Sequence, residues 1–204
     1  MSTKVFSKFR RVSFAFLTIP GLLNIAIAQQ SESATAINFK TIANKNGPTL
    51  GYSSASGVKI LTLNGLNFKD LNKNGKLDKY EDWRLDVEER AKDLASKLTV
   101  EQIAGLMLYS GHQVIPAPPR GFGAATYKGK PFAESGAKAS DLTDQQKIFL
   151  SEDNLRHVLV TRVESPELAA VWSNNIQALV EGLGAGIPAN NSSDPRNSAV
   201  SSTE

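Results

Sequence analysis

Residues 156–163, RHVLVTRV, read as a buried strand. Ser165 and Pro166 follow as N-cap and first helical residue. Leu168, Val171, Trp172, Ile176, Leu179 and Val180 then line up as one apolar face of a helix of about 16 residues. Residues 182–186 (GLGAG) stop that helix, and residues 187–191 (IPANN) are strand again. Strand, helix and strand within this length make a βαβ unit, which commits the chain to a parallel sheet with a right-handed crossover. The second strand runs into the polar tip Ser192-Ser193-Asp194-Pro195-Arg196. Strand C-termini are where parallel α/β proteins keep their ligand chemistry, so Asp194 and, after the first strand, Glu164 share one rim. Each also has a structural reading, Glu164 as an acid before a helix N-terminus and Asp194 as the first residue of an Asp-Pro turn.

Compartment follows from the other end. Residues 1–11 hold Lys4, Lys8, Arg10 and Arg11 and no acid, and residues 12–28 are apolar and close on Ala26-Ile27-Ala28. This is the n-region, h-region and cleavage site of a secretory signal, with cleavage expected after Ala28. The apolar run, 17 residues broken by Pro20 and Gly21, is short for a membrane span of about 20 residues. The expected product is periplasmic or secreted, with no membrane association after cleavage. The chain has 23 Lys+Arg against 20 Asp+Glu, but removing the signal leaves 19 against 20, so nothing points to a nucleic-acid partner. With no cysteine there are no disulfides.

Between these ends, residues 29–57 are rich in Ser, Thr, Asn and Gly and read as a flexible leader with at most one edge strand. Residues 58–63 (VKILTL) alternate as a strand does. Residues 70–81, DLNKNGKLDKYE, then match a calcium loop: oxygen side chains from Asp70, Asn72, Asn74, Asp78 and Glu81, the backbone carbonyl of Lys76, and Gly75 at the sharp turn. A hard cation wants six to eight oxygens, and that spacing supplies them. The competing reading is an Asx- and Gly-rich turn capping the next helix. A strand, not a helix, leads into the loop, and it is a single loop where such loops usually pair.

Helices follow. Asp86 with Glu89 opens one with an apolar stripe of Val87, Ala91, Leu94 and Leu98, and Thr99 with Gln102 opens another carrying Val100, Ile103, Ala104 and Met107. These apolar positions are expected in the core. Residues 111–140 carry four prolines and five glycines up to Gly136 without a period, and their Tyr127 and Phe132 read either as sugar-stacking platforms or as loop anchors. Thr143 with Gln146 caps a short helix through Leu150.

Much chemistry is excluded. His112 and His157 have no ligand-spaced partner, and there is no phosphate-binding glycine motif and no nucleophile elbow. Asn190-Asn191-Ser192-Ser193 holds overlapping glycosylation sequons, but at a strand end it reads as polar site or turn.

The ordered set LTVEQIAGLM (98–107), VLVTRVESP (158–166), the helix around 172–179 and Gly186-Ile187-Pro188 resembles the N-terminal part of glycoside hydrolase family 3, in its exported bacterial β-glucosidase-like branch. The resemblance implies the N-terminal portion of a (β/α)8 TIM-type barrel, an α/β fold that is incomplete here and preceded by a helical segment and the signal. It implies retaining hydrolysis of a β-linked glucoside or oligosaccharide; no catalytic cofactor is expected, and any Ca2+ held by the loop of residues 70–81 is expected from that loop's pattern to be structural. It gives Asp194 the role of holding sugar hydroxyls, with Arg196 assisting. The family's His-Gly after the arginine is replaced by Asn197-Ser198. The implied nucleophile and acid/base are expected beyond residue 204, so no catalytic residue is assigned and the chain by itself is expected to be inactive. The expected division is signal 1–28, leader 29–57, approach segment with calcium-type loop and helices 58–155, and first βαβ unit 156–204. The rival reading is a non-catalytic exported calcium-binding module.

Overall fold

The computed structural model describes residues 39–193, so the signal-like stretch 1–28, Asp194 and Arg196 lie outside the described residues. Two antiparallel hairpins come first. Strands β1 (Phe39–Ile42) and β2 (Leu50–Ser53) pair from Phe39↔Ser53 to Ile42↔Leu50. Two strands therefore occupy a stretch expected to hold at most one. Strands β3 (Lys59–Leu63) and β4 (Leu66–Asp70) turn through Asn64 and Gly65, whose φ of 52° and 76° are the left-handed pair that a tight hairpin needs. Asn44 ties the hairpins together: its side chain donates to the carbonyl of Asn67 (3.1 Å) and accepts from the N–H of Asn67 (2.6 Å). On β4, Phe68 is buried beneath Trp83, ring centroids 5.4 Å apart, and the Arg84 guanidinium lies 4.9 Å from the same Phe68 ring.

Helix α1 (Val87–Ala95) starts where Asp86 accepts the N–H of Glu88, and α2 (Val100–Leu106) starts at a reciprocal Thr99–Gln102 box. The expected burial of their apolar stripes does not hold among the described residues. Val87 is exposed, and Val100 and Met107 are 78% and 79% exposed. Helix α2 packs through its small residue instead, since a Cβ on Gly105 would collide with the carbonyl oxygen of Asp153. That places the Val100–Met107 stripe away from the contact.

The Gly/Pro-rich stretch holds a third parallel strand, β5 (Gln113–Ile115), followed by α3 (Phe132–Ser135) and α4 (Asp144–Ser151). Strand β6 (His157–Val163), helix α5 (Pro166–Glu181) and β7 (Asn190–Ser193) complete the sheet, in order β5-β6-β7, with both pairings parallel. The βαβ unit is thus present, with a further parallel strand before it. Strand β7 begins three residues later than its apolar residues suggest, because Gly184 and Gly186 hold left-handed turns (φ 52° and 65°) that keep Ile187 out of the ladder. The Asn190-Asn191-Ser192-Ser193 run, its first two residues expected in the strand and its end as polar site or turn, is that strand in full. The result is a mixed α/β arrangement whose three-stranded parallel sheet does not close on itself among the described residues.

The core sits between α5, α4 and the sheet: Ile115, Leu150, Val158, Trp172, Ile176 and Val180 are all buried there. Gln146 organises the polar side of it. Its side-chain oxygen accepts from the Thr143 N–H (2.9 Å) and from the Trp172 indole (3.4 Å), and its amide donates to Gln113 (3.1 Å) on β5. Arg156 holds the opposite end. Its buried guanidinium donates to the carbonyls of Leu150 and Leu155 (2.8 Å each) and Ile187 (3.1 Å), and burial depresses its pKa from the ordinary value. Replacing Arg156 by Leu strands these carbonyls, and a loss of about 1–3 kcal/mol in urea-unfolding stability is expected. An unchanged midpoint would show that water or a local shift satisfies them.

Candidate functional site

Two places bring chemistry-bearing residues together. The first is the loop that β4 feeds. Asp70 ends that strand fully buried (0% exposed), its two carboxylate oxygens accepting from the N–H groups of Asn74 and Gly75 at 3.0 Å. Lys73 and Gly75, at φ 61° and 76°, turn the chain back on itself. The Asn72 side-chain oxygen accepts from the N–H of Asn74 (3.1 Å), and that of Asn74 from the N–H of Lys76 (2.7 Å). The amide groups of Asn72 and Asn74 both donate to one oxygen of Asp78 at 2.7 Å. Glu81 closes the loop: Oε1 accepts from Leu71 (2.7 Å) and Asn72 (3.3 Å), and Oε2 from Asp78 (2.9 Å). All six predicted positions thus belong to one connected loop, with Lys76 entering it through its backbone.

The loop's charge is lopsided. Asp70 and Glu81 are buried and bonded to backbone N–H groups, and among the described residues neither enters an ion pair. Asp78 meets Lys97 at 3.5 Å. Burial pushes the Asp78 carboxyl up, but the amides of Asn72 and Asn74 and the Lys97 ammonium outweigh it and leave the pKa below the ordinary value. Tyr80 is 5% exposed. Burial, then the charge of Glu81 and a hydrogen bond to it, then the charges of Asp78 and Asp70, push that phenol far above its usual range. Helix α1 fixes the exit, Asp93 accepting the Tyr80 N–H (3.1 Å) and Arg90 donating to its carbonyl (3.1 Å). Among the described residues no three His, Asp or Glu side chains alone form a metal-binding group, so any ion here depends on the Asn oxygens and the Lys76 carbonyl as well.

The second place is the C-terminal rim of β6 and β7. A cavity of about 440 Å³ is lined there by Val163, Glu164, Ser165, Trp172, Asn191 and Ser193. Ser165 caps α5 by accepting the Leu168 N–H (3.1 Å). Asn191 donates to Ser173 (2.9 Å), while its side-chain oxygen and the Ser192 hydroxyl are buried without partners. Glu164 is solvent-exposed beside the cap. Asp194 follows Ser193 in the sequence, outside the described residues with Arg196.

Other candidates resolve simply. Tyr127 is buried and its hydroxyl accepts from the Ala117 N–H (2.9 Å), so it anchors the loop and is no exposed platform; Phe132 packs against it at 5.4 Å. His157 stacks on Tyr109 (5.1 Å) and meets Asn190 at 3.1 Å, a structural role. The sequence reading missed Glu181, whose buried carboxylate accepts from Ser53 (2.9 Å) and pairs with Lys69 (2.7 Å), joining both hairpins to α5. A buried acid at the polar end of an amphipathic helix is its only local signal.

No protein-family model matches the chain. Among curated proteins, it is 37% identical over 144 residues to the periplasmic beta-glucosidase/beta-xylosidase of Dickeya chrysanthemi, a match covering 70% of this chain and 19% of that protein. The chain spans about a fifth of the length of the relative it matches.

Proposed function

We propose that this chain, similar to a periplasmic β-glucosidase/β-xylosidase and consistent with the N-terminal part of a glycoside hydrolase family 3-like protein, supplies one wall of a β-glycoside-hydrolysing site. The observation that carries this reading is the 37% identity to that relative over 144 residues. The parallel β6–α5–β7 unit supports it, because its strand ends and helix cap line one cavity on the rim where such sheets bind ligands. Asp194, next after β7, accepts hydrogen bonds from hydroxyls of the sugar, and Arg196 assists. A carboxylate suits that task because charge-assisted bonds to hydroxyls are short and about twice as strong as neutral ones. The substrate is a β-linked glucoside or oligosaccharide. The signal-like N-terminus and the compartment named for the relative support export to the periplasm or medium, with cleavage after Ala28.

Retaining hydrolysis needs a nucleophile and an acid/base about 5–5.5 Å apart. On this reading neither role falls to a residue of these 204, and they supply only the sugar-holding wall. Purified residues 29–204 are therefore expected to release no chromophore from an aryl β-glucoside above the buffer rate. Turnover above background that copurifies with the chain would overturn this assignment.

A further inference from the structure

Asparagine is followed by glycine at Asn46-Gly47, Asn64-Gly65 and Asn74-Gly75. Such pairs are reactive, because glycine has no side chain to keep its backbone nitrogen from the amide carbon of the preceding asparagine. Asparagine counts among the thermolabile residues. Both residues of each pair are solvent-exposed, so exposure does not rank the pairs.

The fold ranks them by what holds the glycine N–H. Gly75 donates to the buried carboxylate of Asp70 (3.0 Å). The Asn74 side chain is pinned at both ends, accepting from the Lys76 N–H (2.7 Å) and donating to Asp78 (2.7 Å). Gly47 donates to the carbonyl of Asn44 (3.3 Å) and lies so close to the Trp83 ring that an added Cβ would strike it. Gly65 differs. Among the described residues neither its N–H nor the Asn64 side chain makes a hydrogen bond, and an added Cβ on Gly65 would meet nothing. The pair forms the turn between β3 and β4, closed by Leu63 opposite Leu66.

We propose that Asn64 is this chain's site of spontaneous deamidation, and that the isoaspartate formed there loosens the β3–β4 hairpin. The Gly65 nitrogen, its proton taken by hydroxide, attacks Cγ of Asn64. The N–Cγ bond forms, the Cγ–Nδ2 bond breaks, and the departing nitrogen takes a proton from water and leaves as ammonia. Nothing is oxidised or reduced. Water then opens the cyclic imide. Cleavage at Cγ gives aspartate; cleavage at the backbone carbonyl carbon gives isoaspartate, in which the main chain runs through Cβ and Cγ.

The attack requires the turn to swing out of its left-handed geometry, and an exposed hairpin tip is where local opening is easiest. Gly65 gives up no hydrogen bond to attack. Gly75 must surrender one to a carboxylate, which slows Asn74 roughly tenfold or more, and Gly47 one to a carbonyl, which slows Asn46 roughly twofold to tenfold. Isoaspartate then lengthens the backbone inside a turn whose two residues fix the register. The misfit falls on the Leu63–Leu66 pair and on β4, which carries the buried Phe68 and the Lys69 that pairs with Glu181 of α5. No residue of the rim takes part, so the inference stands apart from the sugar-holding reading.

The test is to hold the native 204-residue chain at mildly alkaline pH, sample it over time, label isoaspartate with the methyltransferase specific for it, and locate it by peptide mass spectrometry. Asn64 should convert first, with Asn46 and Asn74 behind by the ratios above. In urea the three rates should converge to within about threefold, because the hydrogen bonds that separate them are gone. The aged chain should melt several degrees below the fresh one. Asn64→Gly, whose Gly-Gly pair also suits the turn, should not lose stability on ageing. Conversion of Asn46 or Asn74 as fast as Asn64 in the native chain would overturn the proposal. So would a ranking that urea leaves unchanged, or an Asn64 that stays intact in the native chain while it converts in urea. Equal melting of fresh and isoaspartate-rich chains would overturn the loosening of the hairpin.

Discussion

Trp172→Ala is expected to lower the stability of the chain by about 3–5 kcal/mol, the range for removing a buried large aromatic. Trp172 is 2% exposed and lies at the centre of the cluster with Ile115, Leu150, Val158, Ile176 and Val180. It also reaches the rim cavity with part of its surface and donates to Gln146 with its indole N–H. Truncation therefore removes apolar area, opens a void and leaves a buried amide oxygen with one partner fewer. Native domains hold only about 5–15 kcal/mol in total, so the variant should unfold early in urea or fail to fold. Trp172→Phe separates the contributions, keeping a ring while losing the hydrogen bond, and should cost about 1–2 kcal/mol. Circular dichroism during urea unfolding checks both. A loss below about 1 kcal/mol for the alanine variant would mean that α5 does not seat on the sheet as described.

The same residues show what a sequence can and cannot reveal. Helix starts were legible, because capping is local: the Thr99–Gln102 and Thr143–Gln146 boxes and the Ser165-Pro166 start all form where their spacing places them. That residues 70–81 turn back as one hydrogen-bonded loop was legible for the same reason. Strand β5 was not, since three residues ahead of Pro116 are too few to show a period. Asn64-Gly65 did carry a hairpin signal that the alternation of residues 58–63 overshadowed. The stripe on α2 shows the opposite failure. Its spacing marks an amphipathic helix, but spacing does not say which surface covers it, and Gly105 takes the contact instead. The pairing of Lys69 with Glu181, 112 residues apart, is a product of the fold and leaves no local trace.

Asp194 is the residue on which the proposed function turns. A carboxylate accepting from sugar hydroxyls contributes about 1.5–3 kcal/mol for each charged hydrogen bond, so losing its charge where two are made should cost about 3–4 kcal/mol of transition-state binding. That corresponds to roughly a 10²- to 10³-fold loss in kcat/KM. On the proposed reading the loss should be larger for Asp194 than for Glu164, which is solvent-exposed beside the α5 cap and should change kcat/KM less than about threefold when made Gln. The direct test is kcat/KM for an aryl β-glucoside in an enzyme carrying this chain as its N-terminal part, native against Asp194→Asn, with melting temperature measured alongside. A fall of roughly 10²-fold or more at unchanged melting temperature is the expected result. An unchanged kcat/KM in a folded Asp194→Asn enzyme would contradict the assignment of this rim as a wall of the sugar site.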